Sequence, residues 1–149
     1  MPREYPEYPL VGVGAVVLGE GSVLLVRRGA PPGRGKWSVP GGLVELGETP
    51  EEAVGRELLE ETGLRGAVRG LFGVYQYVER DGHGRIRYHF ILLDYLIDPE
   101  GGTPRPGTDA EDARFFDLAD ALKLDLTETT RELLKDLVGF GPAPLGRCR

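Results

Sequence analysis

The stretch "GGLVELGETPEEAVGRELLEETGL", Gly41 to Leu64, packs glutamate densely around one basic side chain, Arg56. Its local signals are those of a helix with both ends specified. Thr49 suits the N-cap, Pro50 suits the first helical position, where a missing N–H costs nothing, and Glu52 at N3 completes a capping box with Thr49. Gly63 supplies the left-handed stop. The spacing predicts a helix from Pro50 to Thr62, and at about 100° per residue it brings Glu57, Glu60 and Glu61 into one arc of about 100°. No Lys or Arg lies four residues beyond Glu57 or Glu60, and Arg65, four beyond Glu61, falls after the Gly63 stop. Like charges at that spacing cost ~0.2–0.5 kcal/mol per pair, too little to separate a solvated acidic face from a cation site.

The residues just before the helix favour the cation. "PGG" (Pro40 to Gly42) opens a chain reversal where backbone can approach a metal or ligand with no Cβ in the way. A divalent ion is the simplest partner for clustered carboxylates with no cysteine and no histidine nearby. Hard oxygen donors select Mg²⁺ or Mn²⁺, and protein-bound Mg²⁺ commonly bridges to substrate phosphates. The acidic face therefore points to phosphate chemistry.

On the N-terminal side, "VGVGAVVL" (Val11 to Leu18) and "SVLLVRR" (Ser22 to Arg28) flank "GEG" and predict a short hairpin. A Gly/Pro-rich loop, "GAPPGRGK", and a short "WSVPGGLVE" stretch lead into the helix. On the C-terminal side, "VRGLFGVYQYVE" and "RIRYHFILLDYLI" flank "DGHG" and predict a long hairpin. Beyond the loop "DPEGGTPRPGTDAED" come a short apolar run, "ARFF", and an amphipathic helix from about Thr127 to Val138, capped by Thr127 and ended by Gly139. Strands, helix, strands, helix in that order predict an α/β (α+β) fold, an α/β/α sandwich built on a mixed β-sheet.

At 149 residues the chain is expected to form a single domain, 1–149, with about 140–149 as a flexible tail. Its 40 % hydrophobic and 28 % charged residues are those of a soluble globular protein. No apolar run reaches the ~18 residues of a membrane span. "MPREYPEYPL" lacks the apolar core of a signal peptide, so a cytoplasmic location is expected. Cys148 is the only cysteine, which excludes an internal disulfide and a cysteine metal site. The net charge of −6, concentrated in the Glu-rich helix and in Asp98 to Asp125, argues against a nucleic-acid-binding face. The chain has no asparagine and 15 Arg against 3 Lys, a bias that fits a hot habitat and GC-rich codon usage equally.

Gly42, five residues, Glu48, seven residues, then "RELLEETGL" from Arg56 to Leu64 matches every fixed position of the Nudix box, Gly-x5-Glu-x7-Arg-Glu-U-x-Glu-Glu-x-Gly-U, with U a bulky aliphatic residue. On these positions, and on the order of its strands and helices, the chain resembles the Nudix family over nearly its whole length. The resemblance implies a loop–helix–loop metal site that hydrolyses a nucleoside diphosphate linked to another group. By position Glu57 and Glu61 correspond to the principal metal ligands, Glu60 to a further one, and Gly42 to a carbonyl ligand. Arg56 and Glu48 correspond to the pair that fixes the loop against the helix. A divalent ion in such a site offsets phosphate charge and lowers the pKa of the attacking water. The general base in similar proteins is either a box glutamate or an acid in a later loop, here "TDAEDARFF". Family spacing favours Asp109 and side-chain length favours Glu111, with Asp112 the third acid; the sequence leaves this open.

Arg28 ends the second strand where similar proteins carry an arginine that grips phosphate. Tyr75, Tyr77 and Tyr88 are candidates to stack on a nucleobase, against a packing role for each. Trp37 suits packing. His83 in the turn and His89 between Arg85 and Arg87 have no neighbour in sequence that would make either a base. The expected partner is a small nucleotide, with no nucleic acid and no membrane, and a homodimer is the assembly allowed for.

For the substrate, the sequence departs from two subclass patterns. Arg80 stands where one group of ADP-ribose hydrolases carries proline, and Gly82 where many dinucleoside polyphosphate hydrolases carry tyrosine. Relatives that read oxidised guanine rely on an asparagine that both donates and accepts at the base edge, and this chain has none. A nucleoside diphosphate sugar asks less of base-edge readout. The expectation is hydrolysis of ADP-ribose to AMP and ribose 5-phosphate, ahead of cleavage of a canonical or oxidised nucleoside triphosphate. A non-catalytic nucleotide-binding domain is third, since no box carboxylate is missing.

Overall fold

The computed structural model describes residues 2–140. Cys148 and the expected tail beyond Phe140 lie outside them. In chain order the elements are β1 (Leu10–Val17), β2 (Ser22–Arg28), β3 (Trp37–Ser38), β4 (Gly41–Leu43), α1 (Pro50–Thr62), β5 (Gly66–Arg80), β6 (Ile86–Pro99), β7 (Ala110–Asp117), α2 (Leu118–Ala121) and α3 (Glu128–Phe140). The strands form two sheets. One is four-stranded and mixed, ordered β4-β1-β6-β5, with β1 parallel to β6 and the other pairs antiparallel. The other is antiparallel, ordered β3-β2-β7.

Side chains alternate across β1 and β2, and both faces are covered. Val13, Ala15 and Val17 of β1 and Leu24 of β2 pack with Ala53, Val54 and Leu58 of α1. Val16, Val23 and Leu25 point the other way, toward Leu133, Leu134 and Leu137 of α3. The expected sandwich is thus realised with a core on each side of the strands. Strands buried on both faces read as unbroken apolar runs, which is how "VVL" and "VLLV" read. Truncating a side chain as buried as Leu58 to alanine would cost about 2–5 kcal/mol.

The first expected hairpin is corrected. β1 and β2 meet only at the bridge between Leu18 and Val23, then part into different sheets. A two-sided apolar strand has no polar face to fix its neighbour, so the turn signal joined strands whose pairing is set elsewhere. The long hairpin forms as expected, β5 against β6. "ARFF" extends into a full strand, β7, so Glu111 and Asp112 lie on a strand and not in a loop. The last helix runs through Gly139, and the four-residue α2 was not anticipated.

Two glycines of β1 shape the surface that matters below. Gly12 and Gly14 share the face of Val16, and a Cβ at Gly12 would sit 2.9 Å from Leu92, while one at Gly14 would run into the Asp94 carboxylate. Without side chains at these positions the sheet presents a bare floor beside the short strand β4.

Candidate active site

α1 forms as its caps dictate. Glu52 N–H donates to Thr49 Oγ1 (3.1 Å), and Thr49 N–H donates to Glu52 Oε1 (2.9 Å). Gly63 ends the helix at φ 74°, its N–H bonded to the Leu59 carbonyl. The helix points its box glutamates at the loop that precedes it, and there the acids divide into two groups.

The first group is held by Arg56. Its guanidinium grips Glu48 with two hydrogen bonds, Nε to Oε2 at 2.7 Å and Nη2 to Oε1 at 2.9 Å, and donates to the Leu43 carbonyl at 3.1 Å. Glu48 also accepts from Glu45 N–H, and Arg56 with that backbone bond holds its carboxyl down at about 2. Arg56 Nη1 reaches Glu57 Oε1 at 2.8 Å and Glu60 Oε2 at 3.5 Å. The expectation of a face without basic partners is therefore corrected. The sequence rule looked for a cation after each glutamate, and Arg56 lies before them, in contact with the loop as well as the helix.

The second group is Glu61, which has no side-chain ion pair among the described residues, together with Glu57, which Arg56 also contacts. Glu61 Oε1 accepts one hydrogen bond, from Gly41 N–H at 2.8 Å. Burial pushes its carboxyl up to about 7; nearby Glu57 and Asp109 add to the rise, and the Gly41 bond and Arg28 oppose it. Burial likewise raises Glu57, against the pull of Arg56. A Cβ on Gly42 would overlap the Glu57 carboxylate, so glycine there leaves the carboxylate room against the backbone. The donor set suits a hard divalent ion: half-buried carboxylates beside a glycine cradle. Among the described residues no three acids are gathered in ligand geometry, and Glu60 is turned outward to Arg56.

Glu57, Glu60, Glu61 and Gly42 open into a cleft of about 790 Å³, ample for a nucleotide. Asp109 and Arg28 line it too, whereas Glu111 does not. Glu111 pairs with Arg27 at 3.5 Å and Asp112 with Arg114, so of the three loop acids only Asp109 shares the cleft with the box. Its position follows from unmet carbonyls at the end of α1. Gly107 N–H donates to the Glu61 carbonyl and Arg105 N–H to the Thr62 carbonyl, each at 2.9 Å, and Gly29 N–H binds the Asp109 carbonyl at 3.0 Å. The loop between β6 and β7 is thus tied to the helix that carries the acids. Arg28 is oriented by a 2.6 Å bond from Nε to the Pro32 carbonyl, and burial lowers its pKa from the usual guanidinium value.

The tyrosines separate. Tyr77 lines the cleft, its hydroxyl donating to Glu79 at 2.6 Å. Tyr75 and Tyr88, each 3 % exposed, do not line it. Tyr75 sits in the α3 core with its hydroxyl on Asp136, and Tyr88 stacks on Phe90 at 5.9 Å. Trp37 packs edge-on against Phe116. His89 meets Gln76, and the exposed His83 stays in its turn. Neither histidine lines the cleft. Several lining residues went unread in the sequence: Arg3, Lys36, Ser38, Glu79, Asp94 and Thr130. Asp94 carried the one available signal, a lone acid inside the apolar run "FILLDYLI".

A curated relative, the ADP-ribose pyrophosphatase of Methanocaldococcus jannaschii, is 43 % identical over 117 residues, 78 % of this chain and 67 % of the relative. The 8-oxo-dGTP diphosphatase of Escherichia coli is 35 % identical over 99 residues, 65 % of this chain and 75 % of the relative. The crystal structure of a MutT Nudix hydrolase from Burkholderia pseudomallei superimposes with a TM-score of 0.76 at 34 % identity, covering 87 % of this chain and 98 % of that one. The family model described as the NUDIX domain matches residues 9–137, which span every element from β1 to α3 and both groups of acids. The chain belongs to the Nudix hydrolase family.

Proposed function

We propose that the protein hydrolyses ADP-ribose to AMP and ribose 5-phosphate, with Mg²⁺ or Mn²⁺ held by Glu57, Glu61, Glu60 and the Gly42 carbonyl. The observation that carries the reading is Glu61: a half-buried carboxylate held by one backbone N–H, sharing one cleft with Glu57, Asp109 and Arg28. A divalent ion bound there offsets phosphate charge and lowers the pKa of the attacking water. The residues of the chain do the rest. Arg28, desolvated at the cleft wall, binds a phosphate as a charge-assisted donor. Asp109 takes the proton from the water that attacks phosphorus, and the anhydride bond breaks so that each product keeps one phosphate. Arg56 and Glu48 hold the loop on α1 so that Gly42 and the acids stay in register. Tyr77 offers an aromatic face for the nucleoside.

The name of the M. jannaschii relative supports the diphosphate-sugar substrate, and the lack of any asparagine weighs against readout of oxidised guanine by an amide. The name of the E. coli relative supports triphosphate cleavage as the second reading. The same proposal carries a cytoplasmic location and a homodimer; no helix among the described residues is long and apolar enough to cross a membrane. The test is kcat/KM for ADP-ribose beside dGTP, 8-oxo-dGTP and diadenosine polyphosphates, each with Mg²⁺ and with Mn²⁺. ADP-ribose should lead, and a tenfold preference for any of the others would reject the substrate.

A further inference from the structure

Arg3 lines the cleft but belongs to none of the strands and helices around it. It lies on an N-terminal arm, residues 2–9, that has neither helix nor strand. The arm is nonetheless clasped to the far end of the long hairpin. β1 leaves β6 where Leu10 stands beside Phe90, and the arm takes up the strand edge beyond, with Tyr5 N–H donating to the Arg87 carbonyl at 2.8 Å. The Tyr5 hydroxyl donates to Asp81 in the hairpin turn at 2.9 Å, and the Arg85 guanidinium lies 4.5 Å from the centre of its ring. Arg87 Nε donates to Glu4 at 3.0 Å. Asp81 is itself fixed by the N–H groups of His83 and Arg85. Tyr5 holds φ 52°, a left-handed backbone that is unfavourable for a residue with a Cβ. Covering a bare strand edge needs backbone bonds and no strain. Backbone, hydroxyl, ring and ion-pair contacts on Glu4 and Tyr5 do more, because they fix the direction in which the chain runs on to Arg3.

We propose that this arm is part of the substrate site, with Arg3 binding a phosphate of the substrate alongside Arg28 and the Tyr5 clasp positioning Arg3. The proposal deepens the proposed function and rests on it for a diphosphate substrate, but not for which nucleotide carries the diphosphate. Among the described residues the cations lining the cleft are Arg3, Arg28 and Lys36. Lys36 pairs with Asp125 at 3.8 Å. Arg28 is turned by the Pro32 carbonyl and has no ion pair among the described residues, and neither has Arg3. Burial lowers the Arg28 pKa and the charge of Arg3 lowers it further, so each guanidinium lies in the field of the other. Two guanidiniums held in one cleft, neither paired with a carboxylate, suit an anion with several oxygens, and a planar fork matches phosphate. Phosphate is the anionic part of a nucleoside diphosphate, and it is the part that must lie beside Glu57 and Glu61 for its anhydride bond to be cleaved.

The test is calorimetric binding of α,β-methylene-ADP, a diphosphate with no anhydride oxygen to cleave, and of adenosine to the full chain with Mg²⁺, for wild type, Arg3→Ala, Arg3→Lys and Tyr5→Ala. Arg3 and Tyr5 are both exposed, so neither alanine variant threatens the fold. Arg3→Ala should weaken the diphosphate by about tenfold, the scale of one charge-assisted hydrogen bond, and leave adenosine and Tm unchanged. Arg3→Lys should recover part of the affinity, because it keeps the charge and loses the fork. Tyr5→Ala should weaken the diphosphate to a similar extent, again without effect on adenosine, although Tyr5 does not line the cleft. An Arg3→Ala protein that binds the diphosphate as tightly as wild type would overturn the proposal, as would equal losses for both ligands, or wild type binding the diphosphate no more tightly than adenosine. Full affinity in Tyr5→Ala would overturn the part given to the arm. The charge of Arg3 also reaches Glu57, so Mn²⁺ affinity is measured in parallel. A change in Mn²⁺ affinity with diphosphate binding intact would make Arg3 a neighbour of the acids alone and overturn the proposal. A tenfold loss in Arg3→Ala of a protein that fails to cleave ADP-ribose would sink that substrate and leave Arg3 standing; ADP-ribose cleavage with KM unchanged in Arg3→Ala would do the reverse.

Discussion

Glu48 and Glu61 belong to the same box and have opposite electrostatics. Glu48 is clasped by Arg56 and held near 2, while Glu61 is buried beside other acids and raised to about 7. Glu48 is completed by the protein and serves its structure. Glu61 has a single backbone donor and no side-chain ion pair among the described residues, with Arg28 its opposing charge. A dense run of glutamate thus divides in two, a carboxylate clamped by Arg56 and one held by backbone alone, told apart by where Arg56 points.

The largest expected effect comes from the two half-buried box acids of the cleft, Glu61 and Glu57. Glu61→Gln or Glu57→Gln should lower kcat by about 10²-fold or more, the scale of lost charge stabilisation in a transition state, and EDTA should abolish wild-type activity. Thermal unfolding of the metal-free variants should show no loss of stability. Normal rates in either variant would erase the distinction between the two groups.

Next in size is the contrast within the β7 approach. Asp109→Asn should reduce kcat by about 10²-fold with little change in KM, because the interaction belongs to the transition state. Glu111→Gln, which removes only a half-exposed pair with Arg27, should stay close to wild type. Equal effects from the two would return the base to the box.

The clamp predicts a different signature. Arg56→Ala should lower both Tm and kcat, since it frees Glu48 and the Leu43 carbonyl and adds one more unbalanced acid next to Glu57. Arg56→Lys should restore little, because one ammonium cannot replace a bidentate fork. A variant that lost activity with unchanged Tm would place Arg56 at the chemistry instead.

The smallest effect is in pH dependence, and the two acids have opposite signs. Glu61 is raised on folding, so the folded state binds more protons, and its contribution to stability falls as pH rises from about 4.5 to about 7. Glu48 is lowered, so its contribution is present above about 4.5 and is lost as pH falls toward about 2. In metal-free protein the stability of Glu61→Gln relative to wild type should therefore increase between pH 5 and 7.5. Urea unfolding at the two pH values measures it, and a constant difference would contradict the assigned burial.

The parts of this architecture that could be read from sequence are those set within a few residues. Thr49, Pro50, Glu52 and Gly63 define α1 through bonds no longer than one turn, and the box follows from their spacing. What sequence could not supply depends on contacts made across the fold. The bond from Gly41 to Glu61, the placement of Asp109 but not Glu111 in the cleft and the burial of Tyr75 on Asp136 all depend on distant segments. The β1–β2 turn misled for the same reason: strands apolar on both faces carry no mark of which neighbour they take.

The most direct question is whether Glu57 and Glu61 take up a divalent ion. Mn²⁺ binding followed by electron paramagnetic resonance at pH 6.5, with proton release measured in the same samples, should show ions bound by wild type and protons displaced from Glu61 as they bind. Glu48→Gln should retain a site, weakened only as far as its loop loosens, and Glu61→Gln should lose both the binding and the proton release. Equal Mn²⁺ affinity in wild type and Glu61→Gln would contradict the account.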